Sequence, residues 1–166
     1  MTFLLVLAVA TSAAAAGVAL RRRFSTRTAA RIGMALAMAF AGISHLLMPT
    51  PFVQHLPGWV PLREELVFLT GLLEIALGLA LLLRQPWQRQ AGFALAGYLV
   101  AVFPANVYVA VAEVEVDGQP GGAYAWLRLP LQLLFIAWAL WSTRRIESPA
   151  SDSPATSPAV GRFQSA

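Results

Sequence analysis

The sequence predicts an all-α membrane protein, a polytopic four-helix bundle with one additional N-terminal transmembrane helix. Three observations lead to this fold class. Of the 166 residues, 58% are hydrophobic and 12% are charged, which is too little polar surface for a soluble domain of this length. Several segments are long and apolar enough to cross a bilayer. The arginines gather in alternate connections between those segments, as they do in multi-pass membrane proteins.

A transmembrane helix takes about 17–25 mostly apolar residues. The first such segment, "TFLLVLAVATSAAAAGVAL", has small residues that would suit cleavage, so a signal peptide is the alternative to a retained helix. No basic residue precedes the apolar run and "RRR" follows it directly, which favours the retained helix. The five predicted spans are 2–20, 29–48, 66–83, 91–112 and 126–142.

The chain divides into three parts by composition. Residues 1–28 contain the N-terminal helix, or signal peptide, and a basic cytoplasmic loop. Residues 29–145 contain the four-helix membrane bundle. Residues 146–166, "IESPASDSPATSPAVGRFQSA", are rich in Ser, Pro and Ala, which predicts a disordered cytoplasmic tail.

The arginines predict the orientation of the chain in the membrane. All twelve basic residues are Arg. Ten of them lie between the first two spans or at the start of the second (Arg31), between the third and fourth spans, or after the fifth. Positive loops stay in the cytoplasm, so the N-terminus is expected outside and the C-terminus inside. This placement beside apolar runs indicates contact with lipid and argues against binding nucleic acid.

The two outer connections differ in composition. Residues 48–65, "MPTPFVQHLPGWVPLREE", contain four prolines, which forbid a long helix. Their Trp and Phe side chains suit the headgroup boundary, so this loop is either a lid over the bundle or an interfacial anchor. Residues 113–124, "EVEVDGQPGGAY", alternate acidic and apolar residues before a Gly/Pro turn, which predicts a short extended or hairpin piece.

Polar residues within the apolar spans predict the functional site. At ~1.5 Å per helical residue, His45 lies ~5 Å, Glu74 ~12 Å and Arg128 ~3 Å from the outer helix ends. Asn106 and Gln132 lie ~9 Å deep by the same count. In-membrane ionisable residues usually face the bundle interior and mark function. We therefore expect these five residues to line an outward-open pocket, with Arg128 as the counter-charge of Glu74.

Each of these residues also has a purely structural interpretation. Glu74 and Arg128 can form a structural ion pair, Asn106 and Gln132 can hold helices together, and His45 can be an ordinary interfacial histidine. Gly71, Glu74 and Gly78 fall on one helical face, where the glycines allow another helix to approach closely. The absence of Cys excludes thiolate catalysis within this chain, and two His with few acids predict no protein-built metal site.

Four motifs occur in a recognisable order: "GISHLLMPTPFVQHLPGWVP", "TGLLEIALGLALL", "FPANVYVA" and "LRLPLQLLFIAW". Over residues 33–143 this order resembles the DoxX-like family of small bacterial membrane proteins. The resemblance implies a four-helix core and a link to membrane redox chemistry, since relatives include a thiosulfate:quinone oxidoreductase subunit and a methylamine-utilisation protein. It also implies that the five polar residues above occupy the polar positions of the family. The extra first helix and the lack of Cys depart from several relatives and argue against a thiol-linked role.

Three functions remain open from the sequence. The leading one is a pocket for a small amphipathic ligand, with quinone as a candidate, in which Glu74 and Arg128 exchange protons and Asn106 and Gln132 bind carbonyls. No flavin, haem or metal motif is present, so electrons would come from a partner redox subunit. The second is a non-catalytic assembly or stability subunit. The third is a proton-coupled exporter that uses Glu74, although its off-centre depth argues against a transport site.

Overall fold

The structure, a computed structural model, describes residues 25–144. It contains helices and connecting turns and no strand within that range, which confirms the all-α prediction. The predicted first helix at 2–20 and the predicted tail at 146–166 lie outside the described residues. The helices are α1 (Thr26–Leu47), α2 (Thr50–Val53), α3 (Arg63–Ala80), α4 (Trp87–Val111) and α5 (Ala123–Thr143).

Three of the long helices have the length and composition of membrane spans. These are α1, α4 and α5, and they confirm the helical membrane-protein class. Helix α3 is not among them because its 18 residues include four charged side chains: Arg63, Glu64 and Glu65 at its start and Glu74 in its middle. The two glutamates in its first turn interact favourably with the positive end of the helix dipole.

Local sequence accounts for where the helices begin. The Ser25 side chain caps α1 by accepting a hydrogen bond from the backbone N–H of Thr28. Helix α4 begins directly after Pro86, because proline is compatible with the first turn of a helix. Its observed start at Trp87 differs most from the predicted bounds, since the polar residues "WQRQ" that open the helix carry no hydropathy signal.

The helices pack as two pairs, α1 with α3 and α4 with α5, which are joined by contacts of α1 with α5 and of α3 with α4. Glycines bring α1 and α3 close together. A Cβ atom added at Gly78 would lie 2.9 Å from the Ala35 carbonyl oxygen, and one at Gly71 would lie 2.9 Å from that of Gly42. All four long helices contribute to the apolar core, which contains Met34, Ala35, Ala37, Met38, Leu77, Leu81, Ala91, Leu95, Leu99, Phe135 and Ala139.

The loops 48–62 and 112–122 share one end of the molecule, which we call the upper end. Gln54 Nε2 donates to Asp117 Oδ2 (2.9 Å), and the Asp117 backbone N–H donates to Gln54 Oε1 (2.8 Å). The opposite end, which holds residues 81–86, is the lower end. The extended or hairpin piece predicted in 113–124 is wrong. Gly118 and Gly122 have positive φ angles and the stretch forms turns instead, because its alternating pattern is only four residues long and buries Val116 alone.

Candidate functional site: a buried carboxylate beside a histidine

Glu74 lies in the middle of α3 with its side chain turned toward α1 and α4, and it is only 8% exposed. Its Oε1 accepts a hydrogen bond of 2.7 Å from the hydroxyl of Tyr98 on α4. Its Oε2 is buried without a hydrogen-bond partner among the described residues, and His45 Nε2 lies 3.8 Å away. A buried acceptor without a donor is costly. Glu74 Oε2 is therefore the atom of this cluster that can still accept a hydrogen bond from a ligand.

The hydrogen bonds of His45 determine which ring nitrogen faces Glu74 without a proton. His45 Nδ1 lies 3.2 Å from the hydroxyl oxygen of Thr70, which itself donates to the Val67 carbonyl at 2.9 Å. Since a threonine hydroxyl has one proton, its oxygen accepts from Nδ1–H of the histidine. The lone pair of Nε2 in a neutral ring therefore points toward the carboxylate. The two groups can share one proton, either as imidazolium and carboxylate or as imidazole and carboxylic acid.

The predicted ion pair between Glu74 and Arg128 is wrong. Arg128 Nη1 lies 2.7 Å from both His55 Nε2 and Gln119 Oε1, and its guanidinium carbon lies 6.0 Å from the Tyr124 ring centre. Within residues 25–144 no ion pair links it to Glu74. Arg128 sits near the upper end of α5, where side chains of the two loops offer closer acceptors than a carboxylate deeper in the bundle.

His55 completes the upper part of the site from the loop 48–62. Its Nδ1 donates to the Pro51 carbonyl at 2.7 Å, so its Nε2 accepts from Arg128. Burial, together with the nearby positive charge of Arg128, lowers the pKa of His55 to about 4. The ring is therefore neutral near pH 7, as its role as acceptor from an arginine requires.

Phe52 joins the two histidines. Its ring centre lies 3.8 Å from that of His45 and 6.4 Å from that of His55. The short helix α2 thus covers His45 from the upper end through Phe52, which fits the predicted lid. Trp59, further along the same loop, is 82% exposed and fits the predicted interfacial anchor. In the loop 48–62, the part around Phe52 therefore matches the lid and the part around Trp59 matches the interfacial anchor.

Asn106 and Gln132 form a separate group between α4 and α5. Asn106 Nδ2 donates to Gln132 Oε1 (3.2 Å), and Gln132 Nε2 donates to the Leu99 carbonyl (2.7 Å). Pro104 has no backbone N–H, so the carbonyl of Val100, four residues earlier in α4, lacks its usual helical hydrogen bond. The Leu99 carbonyl that accepts from Gln132 is next to it in the chain. Both amides act here as hydrogen bonds between helices. Their role in binding a ligand stays a prediction.

The side-chain contacts therefore divide the five predicted residues into three groups: His45 with Glu74, Asn106 with Gln132, and Arg128 with loop side chains. Sequence reasoning missed Tyr98, His55 and Gln119. Tyr98 carried a readable signal, because a tyrosine in the middle of an apolar helix needs an acceptor for its hydroxyl. The two loop residues carried none, since their positions depend on the path of the loops.

A family model described as "Domain of unknown function (DUF8561)" matches residues 34–143. The match runs from within α1 to the last residue of α5 and includes all five predicted site residues. Comparison with curated proteins and with solved structures gave no match. The matched region is more than half of the chain, and the protein therefore belongs to the DUF8561 family.

Proposed function

We propose that this protein binds a small amphipathic molecule at the His45–Glu74 pair, with a quinone as the candidate ligand. One observation carries the proposal: Glu74 Oε2 is buried without a donor and stands 3.8 Å from His45 Nε2. A quinol hydroxyl can donate to that oxygen. When the pair holds one proton, a quinone carbonyl can accept a hydrogen bond from it, so the same two side chains can bind both redox forms.

The surroundings of the pair support an aromatic head group. Phe52 packs on His45 and Tyr98 bonds to Glu74, so an apolar aromatic wall stands beside a few convergent polar atoms. Quinone-type ligands need apolar surroundings together with a few oriented hydrogen-bonding groups. In this proposal the electrons come from a partner redox subunit, because the sequence contains no flavin or haem motif.

The membrane setting belongs to the same proposal. The order of motifs between residues 33 and 143 supports a DoxX-like four-helix bundle in a bacterial inner membrane, and the apolar run at 2–20 supports one further N-terminal helix. The distribution of arginines supports an N-terminus outside and a C-terminus in the cytoplasm. The His45–Glu74 pair then lies in the outer half of the bilayer, with α2 between it and the periplasm.

A second candidate function, a non-catalytic assembly or stability subunit, has its own supporting observation. Asn106, Gln132 and Arg128 all find partners within the protein. Side chains that only join helices behave in this way. This alternative expects a stable partner protein and no bound small molecule.

The test combines native mass spectrometry from mild detergent with a thermal-shift titration using a short-chain benzoquinone. We expect a bound quinone or a rise in melting temperature for the wild type. Glu74→Gln should weaken binding about tenfold, the equivalent of one charge-assisted hydrogen bond. Glu65→Gln is the matched control, because it removes the same charge from an exposed position on the same helix.

Equal quinone affinity in the wild type and in Glu74→Gln would show that the pair is not the binding site. A co-purifying protein without any bound quinone would instead favour the assembly subunit.

A further inference from the structure

The lower end of the molecule contains a polar cavity of about 390 Å³ that the proposed function does not use. It lies where the start of α1, the connection before α4 and the end of α5 meet. Arg27, Arg31 and Arg144 line it together with hydroxyl and amide side chains, among them Gln88 and Ser142. None of the described residues in its lining is acidic.

Two polar side chains that line this cavity lack partners. Arg31 Nε is buried without a hydrogen-bond partner in the described part of the chain. Gln88 as a residue is only 8% exposed, and no protein group between residues 25 and 144 bonds to its side-chain amide. Arginines that merely flank a membrane span extend their polar heads into water, so a buried and unpaired Nε indicates a missing acceptor.

Two helix N-termini and one helix C-terminus meet at this cavity. Ser25 and Thr28 lie at the N-terminus of α1 and Gln88 at that of α4, while Ser142 lies at the C-terminus of α5. The dipole makes a helix N-terminus favourable to anions and a C-terminus unfavourable. Three arginines and two N-termini against one C-terminus, with no carboxylate among the described lining residues, leave a net positive potential.

An apolar groove of about 430 Å³ adjoins this cavity between α1 and α5. Its wall includes Ala30, Ala137, Trp138 and Trp141. Arg27, which lines the polar cavity, places its guanidinium carbon 5.7 Å from the centre of the Trp141 ring. The charged pocket and the apolar groove between α1 and α5 are thus neighbours that meet at the contact of Arg27 with Trp141.

We propose that the lower end binds an anionic phospholipid, with its phosphate among Arg27, Arg31 and Arg144 and an acyl chain in the groove along Trp138. The arginines supply charge-assisted hydrogen bonds to phosphate oxygens, and Gln88 can bond to the headgroup. A free phosphorylated compound would satisfy the same donors, but it would leave the apolar groove empty.

The test uses the full-length protein in mild detergent and native mass spectrometry with phosphatidylglycerol or phosphatidylcholine. We expect phosphatidylglycerol to bind about tenfold more tightly or better. Arg31→Gln and Arg144→Gln should each weaken that binding about tenfold. Arg144 is exposed at the end of α5, so its variant tests the proposal even if Arg31→Gln fails to fold. Arg89→Gln is the matched control, since Arg89 is exposed near the same end and does not line the cavity.

A second arm separates lipid from free phosphate. Ala137→Trp fills the groove and should reduce phosphatidylglycerol binding, while glycerol 3-phosphate should bind only weakly to every variant. Equal losses in Arg144→Gln and Arg89→Gln would overturn the site in favour of general charge attraction. Tight binding of glycerol 3-phosphate that Ala137→Trp leaves unchanged would overturn the lipid assignment.

Discussion

Replacing Glu74 by glutamine tests the observed geometry of the buried carboxylate. Glutamine keeps the shape of the side chain and retains Oε1 as acceptor for the Tyr98 hydroxyl. Its amide nitrogen takes the place of Oε2, 3.8 Å from His45 Nε2. Because His45 already donates from Nδ1 to Thr70, a neutral ring offers a free lone pair at Nε2. The variant therefore places a donor where the wild type has two facing acceptors.

The magnitude follows from two opposing terms. A charge at the centre of a membrane helix costs about 2.5–3.5 kcal/mol on insertion scales, and less off-centre. The substitution also weakens the Tyr98 bond by about 1 kcal/mol, because a charge-assisted bond becomes a neutral one. Glu74→Gln should therefore be at least as stable as the wild type.

A double-mutant cycle with Arg128→Gln checks the pairing directly. Arg128→Gln loses the contacts to His55 and Gln119 and should cost about 1.5–3 kcal/mol. Glu74 and Arg128 share no partner, so the double variant should equal the sum of the single variants within about 0.5 kcal/mol. Reversible unfolding in mixed detergent micelles measures these free energies.

The positive control is the cycle of Glu74→Gln with Tyr98→Phe, which should show a coupling of about 0.5–3 kcal/mol. A coupling above about 1 kcal/mol between positions 74 and 128, or a clear loss of stability in Glu74→Gln alone, would refute the assignment of His45 and Tyr98 as the neighbours of the carboxylate.

Three further predictions concern packing, orientation and pH. Gly71→Ala should cost about 1–3 kcal/mol in the same unfolding assay, because its Cβ would lie 2.7 Å from the Cβ of His45. Gly97→Ala is the control: its Cβ would meet no atom within 4 Å, so the change should be neutral or slightly stabilising. A reporter inserted at Gly118 should be external and one fused after residue 145 cytoplasmic; the reverse labelling would invert the topology. The pKa of His55 is lowered from 6.5 to about 4 on folding. As the pH falls below 6.5, the unfolded chain therefore takes up a proton at His55 while the folded protein does not. About 3 kcal/mol of the free energy of unfolding should be lost as the pH falls from above 6.5 toward 4. His55→Gln should flatten that dependence in pH-resolved melting curves.

Hydropathy predicted the helices well because burial in lipid selects long apolar runs regardless of their neighbours. The predicted spans 29–48 and 66–83 correspond to α1 and α3 within a few residues. The shared face of Gly71, Glu74 and Gly78 is also confirmed, since all three are buried on α3. Helical spacing alone determines such a face.

The partner of Glu74 was not predictable by the same means. Counting residues gives the depth of a side chain along its helix, but not its direction around the bundle axis. His45 and Glu74 meet because α1 and α3 approach closely at Gly42 and Gly71. Arg128 turns instead to His55, which only the path of the loop brings within reach. The estimated depths could therefore indicate which polar residues belong to the site, but not which of them contact each other.

The two unpaired buried atoms, Glu74 Oε2 and Arg31 Nε, have opposite character. One is an acceptor and the other a donor, so each would satisfy the other if they met. Arg31 and His45 are separated on α1 by about four helical turns, roughly 21 Å, and His45 marks the level of Glu74. No side chain covers that distance, so each atom needs its own partner from outside the described chain. The two proposed sites are thus independent: Arg144→Gln should leave benzoquinone binding unchanged, and Glu74→Gln should leave phosphatidylglycerol binding unchanged. A loss of both ligands in either variant would mean that the bundle itself had changed, and neither binding result could then be assigned to a local contact.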